Sequence, residues 1–102
     1  MPDQESAIEI SMRFLTELRS IGYSLPKAYL FGSFARNKQK EYSDIDIAVW
    51  DIKFSGCLPV DYEGFKTILV RFPGIEVHTF NPDDNDDPLI LEIESYGIKL
   101  LD

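Results

Sequence analysis

The chain has 102 residues, of which 44% are hydrophobic and 13% aromatic, enough for one modest core and one domain spanning residues 1–102. Eighteen acidic against ten basic side chains give a formal charge of -8, which opposes binding to a phosphate backbone or an anionic membrane and argues against nucleic acid as a partner of this chain alone. Cys57 is the only cysteine, which excludes an internal disulfide or a multi-cysteine zinc site. The start MPDQESAIEI has neither the basic residues nor the apolar stretch of a secretory signal, and no apolar run approaches the roughly 20 residues of a membrane helix, so a cytoplasmic protein is expected.

In chain order, Ile8, Met12, Phe14, Leu15, Leu18 and Ile21 recur at helical spacing, with Glu9, Arg13, Thr16 and Ser20 on the other side; this predicts an amphipathic helix over about 5–21. Gly22 and Pro26 end it. Ala28 to Phe31 predicts a strand, Gly32 and Ser33 break it, and SFARN predicts one or two helical turns with Ser33 at or near the cap. Residues 37–43 are polar loop. Residues 45–49, IDIAV, predict a strand covered on at least one side, and 51–59, with Ser55-Gly56 and Pro59, a surface connection. Tyr62, Phe65, Ile68, Leu69 and Phe72 keep a period of 3.6 and predict a second long helix over 61–72, stopped by Pro73-Gly74. GIEVHTF, 74–80, alternates as a third strand, and Asp86 or Asp87 caps a last helix that has Pro88 at its first position and ends at Gly97. The order αβαβαβα predicts an α+β fold with a small mixed sheet flanked by helices.

Side chains two apart on a strand share a face, so Asp44 and Asp46 should project together while Ile45 enters the core. Two adjacent carboxylates repel unless a cation sits between them. An anion-binding turn nearby makes a metal-nucleotide site reasonable, because magnesium is held by one or two protein carboxylates together with substrate phosphates. Gly32-Ser33 offers that turn: glycine lets the backbone approach closely, and the N–H groups that open the next helix can meet phosphate oxygens with the Ser33 hydroxyl. For the turn and the acids to share one site, the first two strands must be antiparallel, which a ten-residue connection permits. A third strand parallel to the second would bring Glu76 to the same end, making three acids available for a two-metal arrangement.

The stretch GSFAR, the ten-residue spacing and SDIDIAV resemble the minimal nucleotidyltransferases of the DNA polymerase β-like nucleotidyltransferase superfamily, whose pattern is Gly-Ser, ten residues, Asp-x-Asp. The leading helix, the GIEV strand and the closing LEIESYGIKL fall in the same order. The resemblance implies transfer of a nucleoside monophosphate, usually AMP from ATP, to an acceptor with release of pyrophosphate. It implies that Gly32, Ser33 and Arg36 hold the nucleotide and that Asp44 and Asp46 bind magnesium, with Glu76 at the position of the third acid. Aspartate is commoner there, and glutamate reaches one methylene further. Many minimal members are encoded beside a helical partner of the HEPN type and act as antitoxins that modify it. The resemblance therefore implies a HEPN-type partner, or a second copy, as the source of acceptor contacts. The alternative is a catalytically weak or inactive protein of this fold that neutralises such a partner by binding alone.

Lys38 and Lys40 also follow the turn and are candidates for neutralising a triphosphate. His78 shares the predicted face of Glu76 and is a candidate for proton transfer. Tyr42 and Trp50 flank the acidic strand and are candidates for stacking on a base. Asp83, Asn85, Asp87 and Glu94 match ligand positions of a calcium loop, but Pro88 stands where that loop needs glycine, so the run reads as a solvated helix start.

Overall fold

The computed structural model describes residues 3–84 and 86–101; Asn85 of the calcium-loop pattern lies outside them. Helix α1, Gln4–Ser20, is capped by Asp3, whose carboxylate accepts the Ser6 N–H at 2.8 Å. Strand β1, Lys27–Phe31, runs directly into the short helix α2, Gly32–Ala35. Phe31, still extended, takes the cap position of α2, and Ser33, expected at or near the cap, lies two residues after it inside the turn. Strand β2, Ile45–Trp50, follows the polar loop.

The long helix expected over 61–72 is replaced by three short pieces, α3 (Leu58–Asp61), a 3₁₀ turn (Tyr62–Gly64) and α4 (Lys66–Leu69). The break falls at Gly64-Phe65. The Tyr23 hydroxyl packs on Gly64 where a Cβ would overlap it, and Phe65 has φ -139° and ψ 13°, outside the helical region. The apolar period still identified the inward residues, because Phe65 and Ile68 are buried and Tyr62, Leu69 and Phe72 pack on the same core.

Strand β3, Ile75–Phe80, leads to helix α5, Pro88–Tyr96, where Asp87 caps by accepting the Leu89 N–H at 2.9 Å. A fourth strand, β4 (Ile98–Leu101), follows Gly97 and pairs antiparallel with β1, an element the sequence pattern did not suggest. Its four residues are too few for alternation to stand out. The sheet order is β3-β2-β1-β4, with β1 antiparallel to β2 and β2 parallel to β3. Both expected strand relations hold.

Alternation along the strands divides the core in two. On one face Ala28, Leu30, Ile45, Ile47, Val49 and Val77 pack with Phe14, Leu15 and Leu18 of α1 and with Phe34. On the other, Tyr29, Phe31, Ala48, Trp50 and Phe80 pack with Ile90 and Ile93 of α5. Trp50 is buried there and stacks on Phe80 at 4.9 Å between ring centroids, so it is a core residue and the base-stacking role considered for it is withdrawn.

The connection after β2 is not the plain surface loop that its Gly and Pro suggested. Asp51 is fully buried and accepts the Leu25 N–H at 2.8 Å and the Lys53 N–H at 2.9 Å, which pins Leu25 at φ 47°. Asp61, also buried, accepts from Ser55 N–H (2.8 Å), Ser55 Oγ (3.0 Å), Gly56 N–H (3.1 Å) and Thr79 Oγ1 (2.8 Å). Burial alone pushes the Asp61 carboxyl up, but the hydrogen bonds from Ser55, Thr79 and Gly56 outweigh it and hold the group below the ordinary 3.8. Asp61→Asn turns an amide N–H₂ toward donors, and we expect a loss of ~2 kcal/mol in urea unfolding at pH 7. A group lowered on folding stabilises fully above the unfolded value of 3.8, and that contribution is lost as pH falls through the folded value. The wild-type advantage over Asp61→Asn should accordingly shrink below about pH 4.

Candidate functional site

The second face of the sheet carries Asp46 on β2 and Glu76 and His78 on β3, at positions that alternate with the buried residues of the other face. Ile90 and Ile93 of α5 reach the apolar part of this face and leave its acidic end accessible. The parallel register pairs Asp46 with Glu76 and Ala48 with His78, so the three polar side chains come from neighbouring strands. One ligand atom from each lies within 4.8 Å of the others. His78 Nε2 is 3.8 Å from Glu76 Oε1 and 4.0 Å from Asp46 Oδ1, and the His78 ring meets the Phe31 ring edge-on at 5.0 Å.

Two acids side by side without a cation strain their own ionisation. Burial first, then the charge and hydrogen bonding of Glu76 and the charge of Asp44, push the Asp46 carboxyl from 3.8 up to about 6. Burial lowers the His78 imidazole, against the opposite pull of Glu76, which favours its neutral form.

The Gly-Ser turn sits on this cluster. Phe31 is paired with Asp46 across the antiparallel ladder, which puts Gly32 against the Asp46 side chain. Gly32 has φ +71°, and a Cβ there would overlap Asp46 Oδ2 and lie 2.9 Å from its Cγ. Only glycine meets both demands, a left-handed backbone and contact with a carboxylate.

Helix α5 supports the turn from the other side. The Gly32 N–H donates to the Tyr96 hydroxyl at 3.1 Å, and the Arg36 guanidinium lies 3.7 Å over the Tyr96 ring with its Nη2 3.7 Å from Glu92. No sequence signal marks Tyr96, which is 64 residues from its partner. Tyr96→Phe keeps the stack and orphans the N–H, so we expect ~1 kcal/mol less stability by urea unfolding.

The structure therefore brings together Gly32, Asp46 and Glu76 and adds His78. Asp44 is exposed and precedes β2; it acts on Asp46 through its charge but is outside the three-residue cluster. Ser33 lies in the turn, half exposed, whereas Lys38, Lys40 and Tyr42 are exposed on the loop before the acids. A cleft of about 420 Å³ between α1 and Phe72 contains none of these residues.

Residues 22–102 match the family described as polymerase beta, nucleotidyltransferase. The chain belongs to the polymerase beta nucleotidyltransferase family. Solved structures agree on the fold of this nucleotidyltransferase domain. A toxin–antitoxin crystallised with AMP-PNP superposes with a TM-score of 0.63 at 22% identity, over 91% of this chain and 71% of that one. A mutant of the toxin–antitoxin MntA–HpeT gives 0.61 at 22% identity, over 86% and 69%. A Sulfolobus solfataricus structure assigned to the nucleotidyltransferases gives 0.60 at 18% identity, over 94% and 80%. No curated protein matches this chain in sequence. Among the described residues no helix is long and apolar enough to cross a membrane.

Proposed function

We propose that this nucleotidyltransferase domain, residues 1–102, transfers a nucleoside monophosphate, AMP from ATP, to an acceptor on a partner protein of the HEPN type in a toxin–antitoxin module. The observation that carries the reading is the contact of Gly32 with Asp46 beside Glu76: a backbone turn suited to phosphate oxygens touches a pair of acids suited to a divalent cation. Toxin–antitoxin assignments among the structural neighbours, one of them with AMP-PNP, support the nucleotide and the partner.

The residues present fit magnesium. Asp46 and Glu76 supply oxygen donors, and a divalent cation would relieve the Asp46 carboxylate, which is disfavoured first by burial and then by the charges of Glu76 and Asp44. Asp46 and Glu76 would hold Mg²⁺, joined by Asp44 from outside their cluster at the start of β2, and the ion would supply charge neutralisation at the phosphates and at the attacking oxygen. Gly32 and Ser33 hold the triphosphate and Arg36 turns from Tyr96 toward it. In the reaction an acceptor oxygen bonds to the α-phosphorus, the bond to the bridging oxygen breaks, pyrophosphate leaves and the acceptor loses its proton. His78 also lines a cleft of about 140 Å³ together with Leu58, Phe80 and Leu89.

Incubation with labelled ATP, Mg²⁺ and the product of the neighbouring gene tests this directly. Covalent label on the partner, absent with Asp46→Asn, is expected. A partner neutralised without label, and equally well by Asp46→Asn, would instead establish neutralisation by binding alone.

A further inference from the structure

We propose that His78 is a ligand of the same cation as Asp46 and Glu76, and that its nitrogen gives the site a preference for a first-row transition cation, Mn²⁺, over Mg²⁺. This rests on the nucleotidyltransferase reading of the site and extends it from an all-oxygen to a mixed donor set.

Three features place the imidazole in the site. The parallel register puts His78 two residues after Glu76 on the same face of β3, one strand from Asp46. Nε2 is the atom that approaches both carboxylates, at 3.8 and 4.0 Å. Donors each ~2.1 to 2.2 Å from one octahedral ion are ~3 Å apart when adjacent and ~4.3 Å when opposite, so a shared cation needs these side chains to close by about 1 Å or less. The edge contact with Phe31 and its own half-burial, 31% of the side chain exposed, fix the ring against rotation into solvent. An ordinary solvated strand histidine would have neither constraint.

The donor chemistry decides the cation. Mg²⁺ is bound through oxygen and keeps much of its water, and an imidazole gains it little. Imidazole suits first-row transition ions better than Mg²⁺, carboxylates suit Mg²⁺ and Mn²⁺ alike, and Mn²⁺ is a first-row ion that keeps the octahedral geometry of Mg²⁺ while taking a nitrogen donor more readily.

The test is metal binding itself, without nucleotide. Free Mn²⁺ is followed by its electron paramagnetic resonance signal as wild type, His78→Ala, His78→Gln and Asp46→Asn are titrated, and Mg²⁺ is then added as competitor. We expect both His78 variants to lose ~10-fold or more in Mn²⁺ affinity while Mg²⁺ affinity changes less than ~2-fold, and Asp46→Asn to lose both. The chain has a single histidine, so its imidazole signals in a proton NMR spectrum are unambiguous, and Zn²⁺ should shift them in wild type and not in Asp46→Asn. Far-ultraviolet circular dichroism confirms that each variant is folded. Equal Mn²⁺ affinity in wild type and both His78 variants overturns the ligand assignment. If Asp46→Asn still loses Mg²⁺ and label transfer in that case, the nucleotidyltransferase reading survives the failure of this one.

Discussion

Asp46→Asn should abolish nucleotide transfer, by ~1000-fold or more, and at the same time make the metal-free protein more stable. The two effects have one origin. On the proposed function the carboxylate holds a cation, and removing a cation ligand forfeits several kcal/mol of charge stabilisation in the transition state, at about 1.4 kcal/mol per tenfold in rate. Without the cation, the same carboxylate is a liability, because it is partly buried beside Glu76 and its carboxyl is pushed up to about 6. A carboxyl raised on folding contributes its stabilisation fully below the unfolded value of 3.8, and the contribution is lost as pH rises through about 6. The variant should therefore gain ~1 to 2 kcal/mol over wild type at pH 7.5 in chelator, a figure discounted for the solvent that still reaches the group, and gain nothing at pH 3.5. Urea unfolding at the two pH values measures the difference, and a saturating divalent cation should restore the wild type and leave the variant unmoved.

Gly32→Ala carries the second large effect. An alanine there must adopt φ near +71° and push its methyl into the Asp46 carboxylate. The backbone cost is ~1 to 2 kcal/mol and the displacement of a packed neighbour adds ~1 to 3, so a loss of ~2 to 4 kcal/mol is expected by denaturant unfolding. Transfer should fall by ~100-fold in the fraction that remains folded, since a shift of about 1 Å in a positioned group has that consequence. Gly22→Ala separates the two contributions. It has φ +111° at the end of α1, and its nearest neighbour is the flexible tip of Lys53. It should lose stability through the backbone alone and keep its transfer rate. Should Gly32→Ala transfer as well as Gly22→Ala does, the turn would not position Asp46.

Much of this site could be read from residue order. A site shared by the Gly-Ser turn and the acids called for an antiparallel first pair, which the ten residues between Ser33 and Asp44 permit, and the antiparallel pair in turn places Phe31 opposite Asp46. The alternation of GIEVHTF put Glu76 and His78 on one face, and a parallel third strand made Glu76 the neighbour of Asp46. What was not legible has specific causes. Asp61 looks like a solvated acid near a helix start, and its burial depends on four donors from the 55–56 loop and from β3. The helix over 61–72 breaks at Gly64-Phe65, where Tyr23, far away in sequence, packs on Gly64 and Phe65 leaves the helical region. β4 exists because β1 offers it an unpaired edge, not because four residues have a strong strand pattern of their own.

By itself the sequence determined most of the alternation of helices and strands, the sense of the pairs among the first three strands and the residues that carry charge at one end of the sheet, because these follow from periodicity, connection length and the two-residue repeat of a strand. Only the tertiary structure decided which of those charges meet. Asp46, Glu76 and His78 form one cluster while Asp44 stands outside it, and Tyr96 reaches back to hold the Gly32 turn. The physical reason is that proximity between side chains depends on register and on how far α5 extends across the sheet, quantities that are set by packing among residues distant in the chain and leave no local pattern in the order of amino acids.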